Sequence, residues 1–595
     1  MKINNRLFLI LSLLLTVNAN ASIKLKSIEQ IKVVSSYSSL FQLYADNRAK
    51  NIGNYITPDL AVISFNLLKN DLLKRQELAF YNPTLQTFLT KLQQQQKNKN
   101  NSAKLTPVQI ANGDFLDILA RLIDLNSKIP LSARAQQEYQ LINKAKDISN
   151  SPLWGYKIDY SQMKVRGHYS DNPALSAYFK TIKYANTVLF PFVASKATQI
   201  TQKQQQQFIS QAANLSQLIT NNKTLSELYQ KLNQRLTWSV GRAEDFTPIS
   251  LNTALKKCPK QQAPCLIGYA QKNQLVPKII SQPIELSGLK PKQKATDVLI
   301  GFRLLPSRYS VDAELQQNMV YQKPNMLGYL GKKPPFSMSV INGEAVKGYP
   351  LLDELMVLAG SERAKEIMIP DTEYKDYQKY QQQNQILFKS TLKKKDSSAA
   401  EWTFTQEVLM ANKKSDSMLT LMQVHQTWRR YQQQLYAKQS YTPSYKSIQP
   451  LDIRKNAAIQ PAPVLYKALA KLIKVYQKQQ PNEQKWRWLL TEVNKLAVIS
   501  KKSENKKLIS KEEIYYLNTL DRTLKAIIGV KDQPIVVDVH TNAADKQVLE
   551  EATGYIALVN KEKLRGGTIT QYEFKQPLTE RLTDKAWRKK LIGAQ

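Results

Sequence analysis

The sequence predicts a mainly α protein: a large multi-helix globular body over residues 22–530 and a small C-terminal antiparallel β unit within an α+β part at 531–595. Three observations carry this. Apolar residues recur at helical spacing in most long stretches before residue 530. The C-terminal part holds two β-branched and aromatic runs, Val536 to Thr541 and Thr568 to Phe574, the second preceded by Gly566-Gly567. Hydrophobic residues make up 42% of the 595, with 29 Tyr and 16 Phe, enough to fill a core and to exclude a disordered chain.

Taken in order, residues 1–21 read as a signal peptide. Lys2 and Arg6 form a basic start, Leu7 to Val17 an apolar run, and Ala19-Asn20-Ala21 a small-residue cleavage site before Ser22. No later stretch has the twenty or so apolar residues of a spanning helix, so the mature chain is expected to be exported, in the periplasm or secreted, without a transmembrane segment. Residues 22–595 then form one domain. Its first part, to residue 95, is helical with a break at Asn54 to Asp59, and Thr57 or Asp59 is placed to cap the next helix. Gln93 to Asn101 reads as a polar surface loop. Helix is expected from Thr106 to Ser149 and from Ala174 to Leu232, with an aromatic and charged turn region between them. Lys278 to Phe302 shows strand-like alternation. Leu351 to Met368, Gln406 to Tyr436, Val464 to Gln479 and Ile514 to Ile528 read as helices, and Gly360-Ser361 marks a close crossing or helix end.

Cys258 and Cys265 are the only cysteines, and in an oxidising compartment a disulfide is the better reading than a metal site or a catalytic thiol. The formal charge is +38, from 85 basic against 47 acidic residues. Such a field attracts polyanions, here an anionic envelope polymer or a membrane surface. The alternative is a lysine-rich surface that keeps the protein soluble, favoured by the even spread of the lysines. Nucleic acid ranks last as a partner, because no binding motif accompanies the charge. No phosphate loop, Cys-x-x-Cys pair, His-Glu-x-x-His helix or Gly-x-Ser-x-Gly elbow is present, so familiar enzyme chemistry is not indicated.

Three stretches concentrate reactive side chains. In Asp159 to Tyr169, Arg166 and His168 flank Gly167, which suits an acid–base pair beside an anion-binding arginine or, structurally, an Asp159–Arg166 ion pair. In Gly301 to Glu314, Arg303 and Arg308 with Asp312 suit an anion clamp or, more readily, a structural ion network. In Val536 to Thr541, strand alternation puts Asp538 and His540 on one face. His425 sits on a polar helix and reads as exposed.

Taken together, DYSQMKVRGHY (159–169), VGRAEDFTP (240–248), GFRLLPSRYSVDAE (301–314), LDELMVLAGSERA (352–364), LYAKQSYT (435–442) and the C-terminal VDVHT…VLEEATGY…YEFKQPLTERLTDKAWR (537–588) resemble a bacterial exported family catalogued as domain of unknown function 3160. The resemblance implies envelope association and no agreed activity. It also implies histidines where this chain has Ile63 and Asn66, and a His-Asp pair where it has Tyr431-Gln432.

Two functions remain open. The first is a non-enzymatic binder of an anionic envelope component, with Arg166, Arg303 and Arg308 as anion contacts or as parts of the fold. The second is a metal-assisted hydrolase whose divalent ion is held by Asp59, His168, Asp538, His540 and Glu573 gathered from distant segments.

Overall fold

Helix starts follow one local rule. Thr57-Pro58, Thr106-Pro107, Asn172-Pro173 and Thr247-Pro248 each put proline in the first helical turn, where its missing N–H is not needed. Thr106, Asn172 and Thr247 also cap through a side-chain oxygen. Thr57 does not. Its hydroxyl donates to the Gly567 carbonyl at 2.5 Å, and Asp59 accepts from the Ile569 N–H at 2.9 Å. The two residues expected to cap this helix instead tie it to the C-terminal strand.

The computed structural model describes residues 23–25, 28, 31, 33, 35–98, 105–290, 293–321, 328–341, 344–441, 458–529, 533–561 and 564–594. The segment read as a signal peptide lies outside them, as do Lys99 to Asn101 and Thr442. Helix takes 59% of the described residues, so the mainly α reading holds. Seven of the helices carry the site and its surroundings: α1 (Pro58–Gln76), α2 (Asn82–Asn98), α3 (Lys223–Ser239), α4 (Asp416–Gln433), α5 (Pro463–Gln479), α6 (Gln484–Glu504) and α7 (Asp584–Gly593). Among the described residues no helix is long and apolar enough to cross a membrane.

The main sheet is built from β1 (Ile23–Lys24), β2 (Gly53–Ile56), β3 (Ser440–Tyr441), β4 (Ala458–Ile459), β5 (Val536–Asn542), β6 (Gln547–Lys561) and β7 (Leu564–Pro577). Its order is β4-β2-β7-β6-β5-β3, with β1 also on β7. β5, β6 and β7 are antiparallel, the expected C-terminal unit. The four short strands come from elsewhere in the chain and add in parallel.

The register of β5 overturns one expectation. Asp538 pairs with Glu550, but His540 pairs with Leu549, so a bulge falls at Val539. Neighbours on β6 face opposite ways, and the extra residue therefore sends Asp538 and His540 to opposite faces. On one face Val537, Leu549, Ile556 and Ile569 join the largest apolar core, with α1, α4, α5 and α6. On the other, Val536, Tyr572 and Phe574 pack on Trp587 and Leu591 of α7. A second large core gathers helices between residues 81 and 305 with Leu435 and Tyr436.

Three further readings are corrected. Gln93 to Asn98 are helical, because Gln93, Gln95 and Gln96 use their amides to bridge helices, to Asp117 at 2.5 Å, Leu218 at 3.0 Å and Gln109 at 3.2 Å. Leu351 to Met368 is two helices, Leu352–Leu358 and Glu362–Ile367, split at Gly360, whose φ of +107° suits glycine. Between Lys278 and Phe302 the only strand among the described residues is Gly301–Phe302.

Cys258 and Cys265 are disulfide-bonded, with Cα atoms 5.9 Å apart, and join the ends of helices Pro248–Lys257 and Ala263–Lys272. Closing so short a loop stabilises by about 2–3 kcal/mol in the chain-entropy picture. Urea denaturation with and without reductant checks this: the reduced protein unfolds at lower urea, and coincident curves contradict it.

Candidate functional site

The interior is organised by α4. Ser415 caps it by accepting from the Met418 N–H at 3.3 Å. Every residue from Met418 to Gln433 is buried, although polar side chains alternate with Leu419, Met422, Val424 and Trp428. Buried polar groups need partners, and here they come from the whole length of the chain. Gln423 donates to Asp353 at 2.8 Å, Thr427 to Glu551 at 3.0 Å and Tyr431 to Asp584 at 2.7 Å. His425 is fully buried, not exposed as its polar neighbours suggest. Its Nδ1 lies 3.2 Å from Asn66 Oδ1, and burial pulls its pKa down to about 4, so the ring is neutral at neutral pH.

Asp312 is the main acceptor for α4. It takes Arg429 Nη1 at 2.9 Å and Arg430 Nε at 3.2 Å, with Ser310 on the same carboxylate. Burial pushes Asp312 up, but the two guanidiniums outweigh it and hold the carboxyl well below its usual range. Arg430 continues to Glu551 on β6.

A second cluster occupies the opposite face of the sheet. Asp538 meets Arg166 at 2.6 Å and also Arg581, and Arg581 reaches Asp159 at 3.2 Å, Thr541 at 3.0 Å and Ser161 at 2.9 Å. The Asp159–Arg166 pair read from the sequence is thus replaced: each residue pairs across the cluster, not with the other. Burial raises Asp538, but Arg166 and Arg581 bring it below the usual range. Burial and the Asp538 charge drive Glu550, its cross-strand neighbour, well above its own. That shift favours the protonated form of Glu550, which relieves the repulsion of two directly opposed carboxylates.

Nearby, Lys438 sits 3.3 Å from both Glu244 and Asp245, and Arg303 is 3.5 Å from Asp245. Arg308 donates to Asn233 at 3.0 Å and Thr237 at 3.1 Å, and no carboxylate among the described residues pairs with it. These clusters draw on each stretch the sequence singles out. A family model described as protein of unknown function (DUF3160) matches residues 19–595. The chain belongs to this family. No curated protein and no solved structure matches it.

In this DUF3160 chain the five residues of the hydrolase reading have separate surroundings. Asp59 is held by the Ile569 N–H. His168 Nε2 lies 2.6 Å from Glu77, with its ring 4.0 Å from that of Tyr169. Asp538 belongs to the arginine cluster. His540, on the other face, lies 2.8 Å from Ser440 Oγ and edge-on to Tyr349. Glu573 accepts from the Leu352 N–H at 3.0 Å. Among the described residues no three His, Cys, Asp or Glu side chains are disposed to hold a metal ion. Two positions where the family resemblance implies other residues, Asn66 and Gln432, do touch: Gln432 Nε2 donates to the Asn66 carbonyl at 2.8 Å.

Sequence reasoning places a helix here but misses its burial, yet a signal was present. Met418 to Gln433 contains no Lys, Asp or Glu in a chain rich in lysine, and that gap marks a face with no access to water.

Burial raises Asp59 to about 7, only partly offset by the Ile569 N–H. Between about pH 4, where the unfolded carboxyl ionises, and about 7, the folded state holds a proton the unfolded state lacks. Stability from this group is therefore lost as pH rises through that window. Asp59→Asn is expected to match wild type near the bottom of the window and to exceed it above the top, by on the order of a few kcal/mol at most. Urea denaturation across that range checks it; a difference that does not change with pH contradicts the assignment.

Proposed function

We propose that this is an exported, non-enzymatic protein that binds an anionic envelope component through its exterior. One observation carries the reading: the interior hides more acid than base. Among the described residues 19 carboxylates but only 11 basic side chains are buried. The fold thus leaves an exterior still more positive than the +38 of the whole chain suggests. Long-range attraction follows from that excess and needs no single basic patch.

The acid–base candidates point the same way. Asp59, His168, Asp538, His540 and Glu573 are all buried and engaged in internal contacts. Export rests on Lys2, Arg6, the apolar run Leu7 to Val17 and Ala19-Asn20-Ala21.

The mature chain is expected to co-sediment with phosphatidylglycerol vesicles at low salt and to be released as salt shortens the screening length from about 10 Å at 0.1 M toward about 3 Å at 1 M. Phosphatidylcholine vesicles should not retain it. Failure to bind the anionic vesicles at low salt contradicts the reading.

A further inference from the structure

One sizeable cavity lies apart from the ion clusters. It is a cleft of about 750 Å³ where the end of α1, the C-terminal turns of α3 and α4, and the α5–α6 turn converge. It opens along the seam between the two large cores: Tyr476 and Trp486 on its wall belong to one, Tyr81 and Tyr436 to the other. Small-molecule sites favour such junctions and this size range.

A local distortion shapes one wall. Pro83 lies just inside α2, where a proline ring clashes with the carbonyl four residues back, that of Ala79. The chain answers with a π-helical turn at Glu77–Tyr81 joining α1 to α2. Phe80 and Tyr81 from that turn both line the cleft, and the Arg235 guanidinium lies 3.7 Å from the centre of the Phe80 ring.

The wall has a specific chemistry. Phe80 and Trp238 keep part of their rings exposed, backed by the buried rings of Tyr81, Tyr436, Tyr476 and Trp486, and the amides of Gln234, Gln479 and Gln480 lie beside them. Gln432 is only 2% exposed, and its Oε1 accepts no hydrogen bond among the described residues. The charges are unequal in availability. Glu483 is bound by Arg75 at 3.0 Å and Lys69 by Glu401 at 2.7 Å, whereas Arg235 has no carboxylate partner among the described residues.

We propose that this cleft binds an acidic oligosaccharide. A sugar ring offers an apolar C–H face that lies on aromatic rings and a rim of hydroxyls that, like amides, both donate and accept. A guanidinium 3.7 Å over a ring keeps N–H donors for a uronic carboxylate. An extended peptide is less suited, because helices and turns form the walls and no strand edge is offered. The proposal rests on the reading of this chain as a binder of anionic envelope material and gives that reading a defined pocket.

The test is titration calorimetry on the full mature chain with tetramers of glucuronate, galacturonate and mannuronate, and with neutral cellotetraose, at a salt concentration that releases the protein from anionic vesicles. At least one uronate tetramer should bind more tightly than cellotetraose. Trp238→Ala should weaken it by about tenfold or more, while the variant, less stable because Trp238 also packs on Tyr476 and the main core, remains folded and keeps low-salt vesicle retention. Arg235→Gln should weaken uronate binding by about tenfold and leave any cellotetraose binding unchanged. The proposal is overturned if none of the three uronates binds, if both variants bind as wild type does, or if an acidic peptide competes better than any uronate. Vesicle retention that persists in those cases leaves the surface-charge reading standing, so the two failures are separable.

Discussion

The constraint on which the structure depends is the complete burial of a polar helix. Residues Met418 to Gln433 have no water-facing side, yet they carry two arginines, a histidine and four glutamines. Leaving a buried polar atom unpaired costs about 1–3 kcal/mol, and stranding a buried charge costs about 3–5 kcal/mol. The chain must therefore bring Asn66, Asp312, Asp353, Glu551 and Asp584 to one helix from positions as much as 359 residues away in sequence. Three of the segments that carry the family resemblance supply counter-groups to α4, through Asp312, Asp353 and the C-terminal Glu551 and Asp584.

The C-terminal sheet connects the clusters because successive residues of a strand face opposite ways. Glu551 turns toward α4 and takes Thr427 and Arg430, while Glu550 turns away to Asp538 and the N–H of Leu582. The bulge at Val539 has the same effect on β5. It gives Asp538 to the cluster with Arg166 and Arg581 and turns His540 toward Ser440 and Tyr349. Both faces of the β unit are thus joined to the rest of the described residues by ionic contacts and by apolar packing.

Much of this fold was legible. Helical periodicity, the β-branched run ahead of Asp538, the helix end at Gly360 and the Cys258–Cys265 pair all depend on local chemistry and were read from it. Partner identity was not legible, because it depends on contacts hundreds of residues apart. Polarity alone suggested an exposed His425 and a looped Gln93 to Asn98, but polar side chains with internal partners bury as readily as apolar ones. Alternation alone put Asp538 and His540 on one face, and a single extra residue reversed that. The pairing of Arg166 with Asp538, and of Arg581 with Asp159, replaced a pairing that sequence proximity favoured. The cleft at the core junction left one mark in the sequence, Pro83 within a helical stretch, whose consequence appears only once the helix is built.

The central claim is that the charges around α4 bind one another to hold the fold together. A double-mutant cycle on Asp312 and Arg429, followed by urea denaturation, tests it most directly. Asp312→Asn alone is predicted to cost about 3–5 kcal/mol, because it leaves Arg429 buried against a neutral partner and Arg430 with Glu551 as its remaining carboxylate. Asp312→Asn combined with Arg429→Met should cost less than the sum of the single changes, with a coupling of about 1–3 kcal/mol. Single changes that leave the unfolding midpoint unmoved, or that add within about 0.5 kcal/mol, would contradict it.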